Sequence, residues 1–189
     1  MFPYIIKDAL PKELFFDTFN AMDPSKIGWT HNNTAGYEHT KKYDSLSWQI
    51  VDHQRNLTFI KVGSYIKYKV EQAYTRINKK WVDFHLVKIH TNGQTSDQAG
   101  AFHTDYDNPY TLTAVLFTQA KWDAHWGGGF EVLDPHDHTY KHVAYMPNTL
   151  VIIPSCWEHR GMAPQPLTDQ MRMTLALCYT NHDNKPYYL

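Results

Sequence analysis

From Trp81 onward the chain is cut by turn-forming residues into short β runs, and nothing among them carries helical spacing. The runs are Val82–His90, Gly100–Asp105, Thr111–Gln119, Gly128–Leu133, His142–Met146, Thr149–Pro154, Glu158–Ala163 and Arg172–Thr180. Asn92-Gly93, Asn108-Pro109, Gly127-Gly128-Gly129, Asp134-Pro135 and Pro147-Asn148 mark the turns between them. Strands that follow one another without a crossover helix pair antiparallel. The pattern therefore predicts a mainly β protein with supporting N-terminal helices, built as a double-stranded β-helix, or jelly-roll, barrel.

The helices precede that stretch. Pro11 suits the first turn of a helix whose apolar residues Leu14, Phe15, Phe19 and Met22 form one stripe. Asn56 is an N-cap for a second, in which Phe59, Val62, Ile66, Val70, Ala73 and Ile77 recur every three or four residues. Between them the chain is polar, with strand-like pieces at Trp29-Thr30-His31 and Leu46–Val51. A length of 189 residues suits one domain, 1–189, divided into helical support over 1–80 and a jelly-roll core over 81–180. Cys156 and Cys178 sit singly in apolar runs, as buried reduced thiols do. With no secretory leader pattern and no apolar span of membrane length, the expectation is a cytoplasmic protein without a membrane partner. Its Lys+Arg count of 18 against an Asp+Glu count of 19 gives no electrostatic footprint for nucleic acid.

His103 and Asp105 are two residues apart, so an extended backbone projects both side chains from one face. An H-x-D frame alone is weak evidence in a chain with 12 histidines. The order matters more, because a later strand carrying His159 would complete two histidines and one carboxylate on one face of a metal. That leaves the other face open, the arrangement of non-haem Fe(II) oxygenases.

Phe102-His103-Thr104-Asp105, Lys121-Trp122-Asp123-Ala124 running into Trp126-Gly127-Gly128-Gly129, Asp134-Pro135, Asn148–Pro154, Glu158-His159 and Arg172-Met173-Thr174 together resemble the 2-oxoglutarate- and Fe(II)-dependent dioxygenases, on the prolyl hydroxylase-like branch. The resemblance covers residues 82–180. It implies Fe(II) held by His103, Asp105 and His159, with 2-oxoglutarate as co-substrate, O2 as oxidant and ascorbate as a stimulant. Arg172 would pair with the distal carboxylate of 2-oxoglutarate through two parallel hydrogen bonds, and Thr174 would add a third. His103, Asp105, His159 and Arg172 are thus the catalytic set. The implied reaction hydroxylates a C–H bond, on prolyl residues of a peptide or protein, releasing succinate and CO2.

Two features depart from the family. The interval from His159 to Arg172 is long, which makes Arg160 a rival anchor, although a regular strand turns Arg160 away from the side of His159. His90 and Phe117 occupy positions where related enzymes place tyrosines against the keto acid. Phe117 has no hydroxyl, so His90 would supply the hydrogen bond, the equal alternative being a core histidine satisfied by backbone. Asp134-Pro135-His136-Asp137-His138 reads as a solvated turn, and His125-Trp126 lies where a substrate-gating loop would be, reading equally as that or as plain loop. The Trp122-Asp123 segment and residues 91–100 are expected to be mobile rims of the site. Competing substrates are a free amino acid, another small molecule or an alkylated nucleobase, and a competing class is a jelly-roll metal or ligand binder without turnover. The sequence is silent on oligomeric state.

Overall fold

The computed structural model describes residues 2–35 and 45–181. In chain order the elements are β1 (Tyr4–Ile6), α1 (Lys12–Met22), β2 (Trp29–Ala35), β3 (Ser45–Ile50), α2 (Leu57–Asn78), β4 (Phe84–Gln94), β5 (Thr111–Phe117), β6 (Phe130–Asp134), β7 (Thr139–Val143), β8 (Leu150–Pro154), β9 (His159–Gly161) and β10 (Arg172–Asn181). The strands divide between a seven-stranded sheet, ordered β1-β8-β5-β10-β4-β3-β2, and a three-stranded sheet, ordered β7-β6-β9. Every named pairing is antiparallel. The protein is mainly β with two α-helices, as the sequence suggested, but the strands form two sheets and the pairing does not show a closed barrel.

Residue chemistry explains the supporting layer. The Asn56 carboxamide oxygen accepts from the Thr58 and Phe59 amides at 2.9 and 3.3 Å, so α2 starts on a full side-chain cap. Phe59, Val62, Ile66, Val70 and Ala73 then fall on one buried stripe. That stripe lies on the large sheet, where the Tyr179 hydroxyl donates to the Gly63 carbonyl at 2.7 Å. A Cβ at Gly63 would stand 2.6 Å from Leu86, so glycine sets how closely helix and sheet approach. Helix α1 buries Leu14, Phe15, Thr18 and Met22 against the same core.

Several strand limits differ from the sequence reading, each for a local reason. Asn92-Gly93 is not a turn, because β4 runs through it to Gln94. Gly93 is there for close approach, since a Cβ would stand 2.7 Å from the Met171 sulfur and 3.0 Å from the Trp29 ring. Residues 100–105 form no strand and hold only a single bridge, His103 to His159. The run placed at His142–Met146 is β7, three residues earlier, in register with β6. β1 is too short for periodicity to reveal it. Both cysteines are free thiols. Among the described residues no helix is long and apolar enough to cross a membrane.

Candidate metal centre

The bridge between His103 and His159 builds the centre. Their amides and carbonyls exchange hydrogen bonds of 3.1 and 2.9 Å, which brings the two rings to 4.6 Å between centroids. Each ring is then oriented from behind. The Nδ1 atom of His103 contacts the Ala101 carbonyl at 2.9 Å and that of His159 contacts the Trp157 carbonyl at 2.8 Å. A carbonyl only accepts, so both rings carry their proton on Nδ1 and present a bare Nε2 lone pair. Asp105 Oδ2 lies 3.5 Å from His159 Nε2, and ligand atoms of all three side chains lie within 4.8 Å of one another.

Electrostatics keep the set ready for a cation. Burial raises the Asp105 carboxyl, but its neighbours His159 and His103 and the hydrogen bond from the Thr113 hydroxyl outweigh that, and the group lies well below the usual carboxylate range. Burial, then the neighbouring His159, pushes His103 down. An ionised carboxylate beside a neutral imidazole donor is the form a divalent ion takes up. Thr113 on β5 donates to Asp105 Oδ2 at 2.7 Å and meets Ser155 at 2.8 Å. Asp105 thus touches the large sheet through Thr113 and the small sheet through His159, which places the centre between the two sheets.

The floor beneath it is the inner face of β4, β10 and β5, arranged in rungs. Gln94 faces Arg172; Asn92, Thr174 and Phe117 form the next rung; His90, Ala176 and Val115 the third; Lys88, Cys178 and Thr113 the fourth. Ala176 is the accessible residue in the middle of β10, so the floor is open at its centre. Arg172 stands at the far end, 1% exposed. Its guanidinium donates to the Gly128 and Gly129 carbonyls and to the Gln94 carboxamide oxygen, the last at 2.7 Å. The Phe117 and Tyr145 rings lie 5.8 and 5.4 Å from its central carbon. Among the described residues it has no acidic partner, and burial lowers its pKa to about 10. A buried cation met only by neutral acceptors, with donors left over, is set for an anion.

Arg160 is otherwise engaged, bound to Glu131 through Nε at 2.8 Å and Nη2 at 2.7 Å and stacked on Phe102. Thr174 is buried on the second rung, and Phe117 stacks on Tyr145 at 4.6 Å. The Tyr145 hydroxyl is already committed to the Gln119 amide and the Met173 carbonyl, with burial pushing it up to about 12. His90 packs edge-on against His53, and burial brings it down to about 4. The expected rim over 91–100 needs correcting at its start. Trp122 is tied to the Gly127 carbonyl at 3.0 Å and packs on Tyr145, and Asp123 caps a short 3-10 turn at Ala124–Trp126 that holds His125. Residues 91–94 are strand, with Gln98 buried beyond them. Asp134–His138 is a tight polar turn closed by its own side chains. The sequence reading missed Gln94 and Thr113. Gln94 continues the two-residue alternation of His90 and Asn92, a signal hidden by reading Asn92-Gly93 as a turn.

No protein-family model matches the chain, and no curated protein matches it. Solved structures do. A prolyl-4-hydroxylase of Pseudomonas putida superposes with a TM-score of 0.64 at 15% identity, covering 94% of this chain and 91% of that one. The non-haem α-ketoglutarate-dependent epimerase SnoN of nogalamycin biosynthesis gives 0.67 at 13% identity, covering 93% and 77%. A Trichoplax adhaerens prolyl hydroxylase, in complex with a hypoxia inducible factor oxygen degradation domain peptide fragment, gives 0.64 at 15% identity, covering 96% and 84%. This chain has the fold of the 2-oxoglutarate- and Fe(II)-dependent oxygenases. Its two imidazoles and one carboxylate fit Fe(II), and Arg172, which meets no acid among the described residues, fits the distal carboxylate of 2-oxoglutarate.

Proposed function

We propose that this protein is a 2-oxoglutarate- and Fe(II)-dependent dioxygenase that hydroxylates a C–H bond, with prolyl residues of a peptide or protein as its substrate. The observation that carries the reading is the His103, Asp105 and His159 set above a floor whose far end holds a buried Arg172 that meets no acid among the described residues. A metal or ligand binder without turnover has no use for both. The prolyl assignment draws on the prolyl hydroxylases among the similar structures, one of which holds a peptide.

Each residue's task follows from its position. His103, Asp105 and His159 hold Fe(II) through Nε2 and carboxylate oxygens, with Ala101, Trp157 and Thr113 fixing their orientation. When bound, Fe(II) with 2-oxoglutarate and O2 supplies the oxidation, converting the keto acid to succinate and CO2 and leaving one oxygen atom on the substrate carbon. Arg172 binds the distal carboxylate, Gln94 and the glycine carbonyls hold the guanidinium flat, and Thr174 adds a hydroxyl from the neighbouring rung. His90 and Phe117 flank the keto acid, and His90 stays neutral as a hydrogen-bonding group. Phe117, Tyr145 and Trp122 keep water from the guanidinium. The test is succinate release with Fe(II) and 2-oxoglutarate, with and without proline-containing peptides, followed by mass spectrometry for one added oxygen on proline. Stimulation by free amino acids or methylated oligonucleotides alone would end the prolyl assignment. No succinate under any condition would end the dioxygenase reading.

A further inference from the structure

The fourth rung of the floor holds a charge that the reaction described above does not use. Lys88 lies on β4 opposite Cys178, which is opposite the Thr113 that holds Asp105. Strands stand about 4.8 Å apart, so a lysine projecting inward from two strands away ends beside the metal ligands. A bulge secures that direction. The pairing steps from Cys178–Lys88 to Tyr179–Leu86, leaving Val87 unpaired and 49% exposed, so Leu86 turns to the helix layer while Lys88 shares a face with His90, Asn92 and Gln94. Lys88 is half-buried, not free in solvent. Burial dominates at His90, His103 and Cys178, pushing the two rings down and the thiol up, and the Lys88 charge is felt at all three. Asp105, the carboxylate felt at the same three groups, is committed to Thr113 and the histidines, and among the described residues Lys88 forms no ion pair.

Arg172 already serves the distal end of the keto acid, three rungs away. Resting on the dioxygenase reading, we propose that Lys88 selects the substrate by pairing with a carboxylate carried next to the C–H bond to be oxidised. The substrate is therefore anionic at the site, its charge coming from a free terminal carboxylate or from an acidic side chain adjoining the target residue. Lys88 acts as a specificity determinant at the level of the metal, and His90 beside it, neutral, contributes shape and a hydrogen bond without competing for the anion.

The experiment is calorimetric binding to the protein loaded with Mn(II) and N-oxalylglycine, an unreactive analogue of the keto acid. The probes are two matched pairs: N-acetyl-L-proline against its amide, and the blocked dipeptide amides of proline-aspartate against proline-asparagine. One pair should show the carboxylate bound at least about tenfold more tightly, as a charge-assisted hydrogen bond in a half-buried site provides. Which pair responds names the source of the charge. Lys88→Met and Lys88→Gln should bring the ratio to about one, and Lys88→Arg should restore most of it. Equal binding within both pairs, binding of none of the four, or a ratio that survives Lys88→Met would each overturn the proposal, as would a Lys88→Met protein that instead loses N-oxalylglycine. Succinate formation by the same wild-type preparation separates the two readings: equal binding in a protein that turns over 2-oxoglutarate counts against Lys88 alone.

Discussion

Arg172 enters the interior as a charge that meets no acid among the described residues, and its neighbours decide whether it stays available. Gln94 places a neutral oxygen 2.7 Å from Nη1 while its own amide is held by the Gln98 and Gly161 carbonyls. Gln94→Glu would put a carboxylate at that point and satisfy the guanidinium from within. The KM for 2-oxoglutarate, read from succinate release, should then rise on the order of tenfold or more, since one charge-assisted contact to the co-substrate is lost to an internal rival. An unchanged KM would show that the guanidinium does not meet the keto acid. His90 tests the site differently. Burial holds its pKa near 4 against an ordinary 6.5, so between those values the unfolded chain binds a proton the folded one refuses. Stability of the metal-free protein should therefore fall as pH drops from 6.5 to 4, by up to about 3 kcal/mol from this ring. His90→Gln should flatten that fall in urea titrations at pH 7, 5.5 and 4.5, and parallel curves for the two proteins would contradict it. At this scale the sequence was most legible where chemistry demands a rare side chain in a fixed order. The convergence of His103, Asp105 and His159 was expected from their order, whereas Gln94 and Thr113 are common residues whose contacts exist only through the strands beside them.

Elements carry the next level, and their legibility followed how far a pattern repeats. α2 spans 22 residues with a cap and a continuous apolar stripe, so its start and face were plain from the sequence. Replacing the cap by Asn56→Ala should cost about 1 kcal/mol of stability, measured by denaturant unfolding. A loss below a few tenths would mean that Thr58 and Phe59 amides find another acceptor. The glycine turn before β6 was legible as a turn but not as a cradle. Its carbonyls at Gly128 and Gly129 face Arg172, and Gly128 has φ +70°, with room for a Cβ only 3.0 Å from Trp122 and 3.3 Å from Arg172 Cδ. Gly128→Ala pays the left-handed backbone penalty of about 1–2 kcal/mol and also pushes on the arginine. It should therefore weaken 2-oxoglutarate binding along with stability, while Asn56→Ala weakens stability alone. If Gly128→Ala left keto-acid affinity intact, the turn would be a connector and nothing more. Strand ends were the least readable feature, because β4 passes through Asn92-Gly93 for the sake of packing against Met171 and Trp29, contacts that no local pattern records.

At the scale of the molecule, the centre is a joint between two sheets. Thr113 belongs to the large sheet, His159 to the small one, and Asp105 reaches both, while its amide is bound to the Ser155 carbonyl just beyond β8. The strands from β4 onward were inferable as short β runs, but the joining of β1, β2 and β3 to the large sheet and the junction of the two sheets were not, since these contacts join residues far apart in sequence. A cation bound there holds the folded arrangement and not the unfolded chain, so it stabilises by mass action, about 2.7 kcal/mol at a hundred times its dissociation constant. Mn(II) should accordingly raise the thermal midpoint, and His103→Ala should abolish that rise. 2-Oxoglutarate should add a second increment only after the metal is present, because its keto end needs the ion while its distal end needs Arg172. Arg172→Met should keep the metal increment and lose the second. The order of addition is the discriminating readout in differential scanning calorimetry: an equal shift from 2-oxoglutarate in metal-free protein would place the keto acid at some other point on the molecule and separate Arg172 from the metal centre.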